Sequence, residues 1–171
     1  MRHAGGWLAG YAPGYSLREY APGTAIKIPK GAIITIQVHY TTNGKPSKDR
    51  TRIGVIYAKQ PPTKLQAGGM VLQPRFVIPA YDGNAEVKGT TTLQRDTVMT
   101  SLTPHMHVRG KDMTYIAHYP DGTDEILLSV PKYDFNWQIS YELKTPKVLP
   151  KGTIVEVIAH YDNSAANKFN P

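Results

Sequence analysis

Apolar and polar residues alternate at a period of two through most of this chain, in short runs that glycine and proline interrupt. Successive side chains of a strand face opposite sides of a sheet, so such alternation buries one face and wets the other. No stretch carries the 3.6-residue apolar period of an amphipathic helix. The pattern predicts an all-β protein with strands at 33–40, 53–58, 86–93, 97–109, 113–119, 125–130, 137–143 and 153–161. Turn chemistry separates them at Asn43-Gly44, Pro61-Pro62, Gly68-Gly69, Arg109-Gly110, Pro120-Asp121-Gly122 and Pro150-Lys151-Gly152. Many short strands with such punctuation describe a sandwich or barrel.

One unit recurs. "IPKGAIITIQVHYTTNGK" (28–45) and "LPKGTIVEVIAHYDNSAAN" (149–167) share a Pro-Lys-Gly turn and a His-Tyr pair at identical spacing. Ile34, Ile36, Val38 and Tyr40 share one face of the first run, as Val155, Val157, Ala159 and Tyr161 do in the second. Two features at a fixed offset point to a duplicated unit. The expected organisation is the C-terminal part of a first β-sandwich over 1–62 and a second over 69–171. The boundary lies in the Pro-, Gly- and polar-rich stretch 58–70. If the first copy's late strand is 33–40, its earlier strands should precede residue 1, so the chain is expected to be a fragment.

The absence of cysteine excludes disulfides, thiolate chemistry and Cys-type zinc sites within these residues. A formal charge of +7 raises the question of nucleic acid. Only "KPSKDRTR" (45–52) is densely basic, however, and it follows a turn, as a solvated loop would. No nucleic-acid partner is expected. No apolar run reaches the roughly 20 residues of a membrane helix, so no membrane span is expected either. "MRHAGGWLAGYAPG" lacks the continuous apolar core of a signal peptide.

The chemistry-bearing stretch is "LTPHMHVRGKDM" (102–113). Strand geometry places Ser101, Thr103, His105 and His107 on one face, with Leu102, Met106 and Val108 on the other. Pro104 cannot donate to a central ladder, so the strand should be an edge or bulged one. Side chains two apart lie about 7 Å from each other, and both imidazoles can converge on one ion. Neutral imidazole suits copper, zinc, iron or nickel, and the pair does not choose among them. His39, on the polar face with Thr35 and Gln37, and His160, at the equivalent position facing with Ile154 and Glu156, read by themselves as hydrogen-bonding histidines. His118 beside the "YPDG" turn reads as structural, and His3 stands too near the chain end to interpret. Signatures of hydrolases, phosphate loops and dinucleotide sites are absent.

"TIQVHY" (35–40) followed by "LTPHMHVRGKDM" resembles the copper type II, ascorbate-dependent monooxygenases, which include the peptidylglycine α-hydroxylating enzyme and dopamine β-hydroxylase. "VPKYDFNWQ" (130–138) and "AHYDNSAANKFNP" (159–171) resemble bacterial relatives more closely. The resemblance implies tandem antiparallel, jelly-roll-like sandwiches, each with one copper, and an exported or periplasmic protein. It implies His39 as one of three ligands of an electron-storing copper, whose His-His partner pair this sequence lacks. His105 and His107 match two of three ligands of the copper that meets O2, and these are the implied catalytic residues. The third, a methionine, belongs to a later strand, so the chain looks truncated at both ends and its turnover is expected to be impaired. Met113 and His160 are further metal-neighbour candidates. The implied partners are a small organic substrate, O2 and an electron donor such as ascorbate. Thr103 stands where the amidating enzyme has a substrate-binding arginine, which makes a C-terminal glycine peptide a poor substrate guess. The competing expectation is a non-catalytic β-sandwich that binds a metal weakly at most.

Overall fold

A computed structural model describes residues 8–12, 19–40 and 42–171, so His3 lies outside the described residues. The protein is all-β, with no helix among those residues and therefore none long and apolar enough to cross a membrane. Two compact units divide at Gly68 and Gly69, inside the Pro- and Gly-rich stretch. Leu8 groups with 19–68, and 9–12 group with 69–171.

In the first unit, β1 (Thr24–Ile26) and β2 (Lys64–Gln66) form a short parallel pair. The runs 33–40 and 53–58, expected as strands, enter no ladder among the described residues. Ile33, Ile36, Tyr40, Ile53, Ile56 and Tyr57 are exposed. Alternation gives a segment the capacity to pair, but the ladder itself needs neighbouring strands in register. The turn before the first run still matches its counterpart. Ala32 N donates to Pro29 O at 3.1 Å and Thr153 N to Pro150 O at 3.1 Å, with Gly31 and Gly152 both at positive φ (77° and 91°). Both are turns that demand glycine at the third position. The repeated sequence thus builds the same turn twice and a paired strand once.

The second unit holds the remaining strands. β3 (Ala85–Thr92), β8 (Ile154–Tyr161), β5 (Gly110–His118) and β6 (Asp124–Val130) make an antiparallel sheet in the order β3-β8-β5-β6. β4 (Thr97–Leu102) and β7 (Tyr141–Leu149) make a second, two-stranded one. β8 lies at the centre because both of its edges find partners: Ala159 pairs with Met113 and Val87, Val157 with Tyr115 and Gly89. Their inward side chains meet Leu102 of β4 and Leu149 of β7 in one core, with Met113, Tyr115, Ala117, Val155 and Ala159 buried. Leu149 and Ala117 are fully buried. Burying a Leu-sized side chain contributes about 1.5–3 kcal/mol, and this cluster holds the two sheets together.

Two strand limits depart from the sequence reading, each because of a proline. β4 stops at Leu102 rather than Arg109, since Pro104 has no N–H to offer a ladder. β7 runs over Tyr141–Leu149 rather than 137–143. Its pairing jumps from Met99–Lys147 to Ser101–Glu142, so residues 143–146, including Pro146, oppose a single residue of β4. A bulge is where a strand tolerates proline, and the polar Lys-Thr-Pro-Lys run hid this one.

Candidate metal centre

Beyond Leu102 the chain leaves the sheet but keeps its alternation. Pro104 and Met106 are buried while Thr103, His105 and His107 are exposed. Met106, 2% exposed, anchors the segment in the core. In place of a neighbouring strand, the Tyr133 hydroxyl satisfies both backbone groups of Met106: it accepts from Met106 N–H at 3.1 Å and donates to Met106 C=O at 2.8 Å. Tyr115 reinforces this by donating to Thr103 O at 3.2 Å, and burial pushes its pKa up to about 12, keeping the phenol protonated. Gly110 admits the packing, because a Cβ there would lie 2.6 Å from Met106 Cβ and 2.9 Å from Tyr133 Cδ1.

Held in this way, the His105 and His107 rings stand with centroids 5.1 Å apart, edge to face at 86°. Phe135 packs edge-on against His107 at 6.0 Å. His105 Nδ1 lies 2.6 Å from Gln138 Oε1. Gln138 Nε2 donates to Phe135 O at 2.8 Å, which fixes the amide so that its oxygen faces the ring. Nδ1 therefore carries the proton and Nε2 keeps the free electron pair, the tautomer a metal ligand needs. Imidazole nitrogens bind first-row ions such as zinc at about 2.0–2.1 Å, and two rings sharing an ion at a tetrahedral angle have centroids about 5 Å apart. The centroid separation of the pair is close to that of two imidazoles on one ion. Among the described residues, no third His, Cys, Asp or Glu joins them.

The other candidates lie elsewhere. Met113 is a core residue of β5, 5% exposed and on the inward face with Tyr115 and Ala117, which removes it from the exposed imidazole rim. His160 is engaged on the outer face of the sheet: Asp112 Oδ1 lies 2.6 Å from its Nδ1 and Glu86 Oε2 lies 3.7 Å from its Nε2. Both are cross-strand neighbours in register, so His160 is spent on carboxylates. His118 is held likewise, between Asp124 (2.8 Å) and Glu156 (3.0 Å). Asp124 first and then Glu156 raise its pKa through these bonds. His39 belongs to the first unit and is exposed, and no group of three His, Cys, Asp or Glu side chains forms around it among the described residues. Thr103 shares a 2.6 Å hydroxyl–hydroxyl hydrogen bond with Ser140.

Periodicity could not find Tyr133, Phe135 or Gln138, because they lie on a non-strand segment whose residues reach the histidines only through the fold. Arg109 did carry a signal: it continues the 103-105-107 alternation by one step, although Arg109-Gly110 reads as a turn. It borders an open cleft of about 310 Å³ that His105 and His107 also line. Comparison of the chain with known protein families, with curated proteins and with solved structures finds no match.

Proposed function

We propose that this chain belongs to a copper-dependent monooxygenase that hydroxylates a substrate C–H bond with O2 and a reductant such as ascorbate, and that His105 and His107 hold the reacting metal. When bound, copper supplies the one-electron and O2 chemistry that side chains lack. The protein's share is to present two imidazoles at a fixed separation, to keep the His105 proton on Nδ1 through Gln138, and to shield one edge of His107 with Phe135. The observation that carries the reading is the 5.1 Å pair on an exposed, Tyr133-clamped segment. Copper over zinc rests on the resemblance of the surrounding segments. His39 as a second, electron-storing copper ligand is part of the same reading, but one imidazole supports no derived step.

One observation favours a second reading, a non-catalytic β-sandwich interaction domain with at most a weak metal site: two imidazoles without a third donor among the described residues hold an ion loosely. Copper titration of the full chain, with His105→Ala as control, separates the two. The oxygenase reading predicts one ion bound in the second unit, lost in the variant, together with copper-dependent ascorbate oxidation that follows occupancy. Copper binding that the substitution leaves unchanged would favour the interaction domain.

A further inference from the structure

We propose that the cleft beside the imidazole pair binds a small apolar carboxylate and that Arg109 receives its carboxylate group. That this molecule is the substrate rests on the monooxygenase reading; that it binds does not. The cleft's walls are apolar. Phe76 and Tyr161 stack at 5.3 Å and 28° to form a flat aromatic side, and Ile78 and Val108 extend it. Its volume of about 310 Å³ stands at the small end of small-molecule sites. Against these walls stands one permanent charge.

Arg109 is held in advance. Its Nε–H is shared between Asn163 Oδ1 at 2.8 Å and Asn170 Oδ1 at 2.5 Å. Asn163 is tied in turn through its own amide nitrogen to Pro79 O at 2.9 Å. Among the described residues of this unit, the cations that form ion pairs are Lys88, Lys147, His118 and His160. Among the described residues no carboxylate lies within ion-pair distance of Arg109, and its terminal nitrogens have no hydrogen-bond partner. A guanidinium oriented at its inner nitrogen, with its outer donors unmatched beside an apolar wall, suits one planar anion through two parallel hydrogen bonds. A neutral apolar ligand would cover those donors without satisfying them, at a desolvation cost. The charge selects the carboxylate, and the aromatic wall selects what it is attached to.

The test uses metal-free full-length protein and three probes: 3-phenylpropionate, 3-phenylpropan-1-ol and acetate, titrated by amide NMR with shifts followed at Phe76, Val108 and Tyr161. Phenylpropionate should bind at least about tenfold more tightly than either of the others, because a charge-assisted pair and an apolar contact must act together. Arg109→Gln should reduce it to the level of the alcohol, and Arg109→Lys should restore part of the preference. Equal binding of acid and alcohol by the wild-type protein would overturn the proposal without recourse to any variant. So would full carboxylate preference in Arg109→Gln. Loss of copper binding with carboxylate preference intact would count against the monooxygenase reading alone, and the converse against Arg109 alone.

Discussion

Removing one oxygen atom tests whether Tyr133 stands in for the missing strand beside the histidines. Tyr133→Phe keeps the ring that packs on Gly110 but deletes the hydroxyl that both accepts from and donates to the Met106 backbone. Each lost hydrogen bond costs about 1 kcal/mol net, and a buried backbone group left unsatisfied costs about 1–3 kcal/mol. Met106 is 2% exposed, so water reaches its backbone poorly. Two groups affected together give a destabilisation of about 2–4 kcal/mol. With a urea dependence of about 2 kcal/mol per molar, the midpoint of the second unit's transition should fall by about 1–2 M at unchanged slope. Tyr161→Phe is the control, since that hydroxyl has no hydrogen-bond partner among the described residues. Amide hydrogen exchange reads the local effect: protection at Met106 N–H should fall in Tyr133→Phe and hold in the control. A midpoint shift no larger than the control's, with Met106 protection intact, would refute the clamp.

Three further outcomes follow from the same contacts. Gly110→Ala places a methyl group 2.6 Å from Met106 Cβ and 3.1 Å from His107 O, and overpacking of that kind should lower stability by about 1–3 kcal/mol in urea melts. Thr153 is fully buried and its hydroxyl has no partner among the described residues, so Thr153→Val should raise stability by about 1 kcal/mol; a loss would mean the hydroxyl is satisfied. His118 has its pKa raised by Asp124 and then Glu156, so its contribution is complete below the unfolded value of about 6.5 and is lost as pH rises through the higher folded value. The stability gap between wild type and His118→Gln should therefore be widest near about pH 5.5 and narrow toward about pH 8.5 in paired urea melts, and a gap that widens with pH would contradict the ion-pair assignment.

What the sequence makes legible is what alternation alone decides. β3, β5, β6 and β8 lie close to their predicted places because each finds partners in register along its length. Residues 33–40 alternate just as cleanly and even share the turn geometry of β8, yet form no ladder, because pairing is a property of neighbours. Prolines account for the shifted ends of β4 and β7. At the site, the shared exposure of His105 and His107 follows from a period of two that outlasts the hydrogen-bonded strand. Gln138, Tyr133 and Phe135 come from about 30 residues away, and no local spacing announces them. His160 looks like a neighbour of the metal in sequence, but register places it between Glu86 and Asp112 on the outer face.

The central claim is that two imidazoles act on one ion. A double-mutant cycle on copper affinity, with His105→Ala, His107→Ala and both together, measures it. Sharing predicts that each single variant loses about tenfold or more and that the double variant loses little beyond either. Losses that simply add would mean that each ring acts alone and that no common metal lies between them.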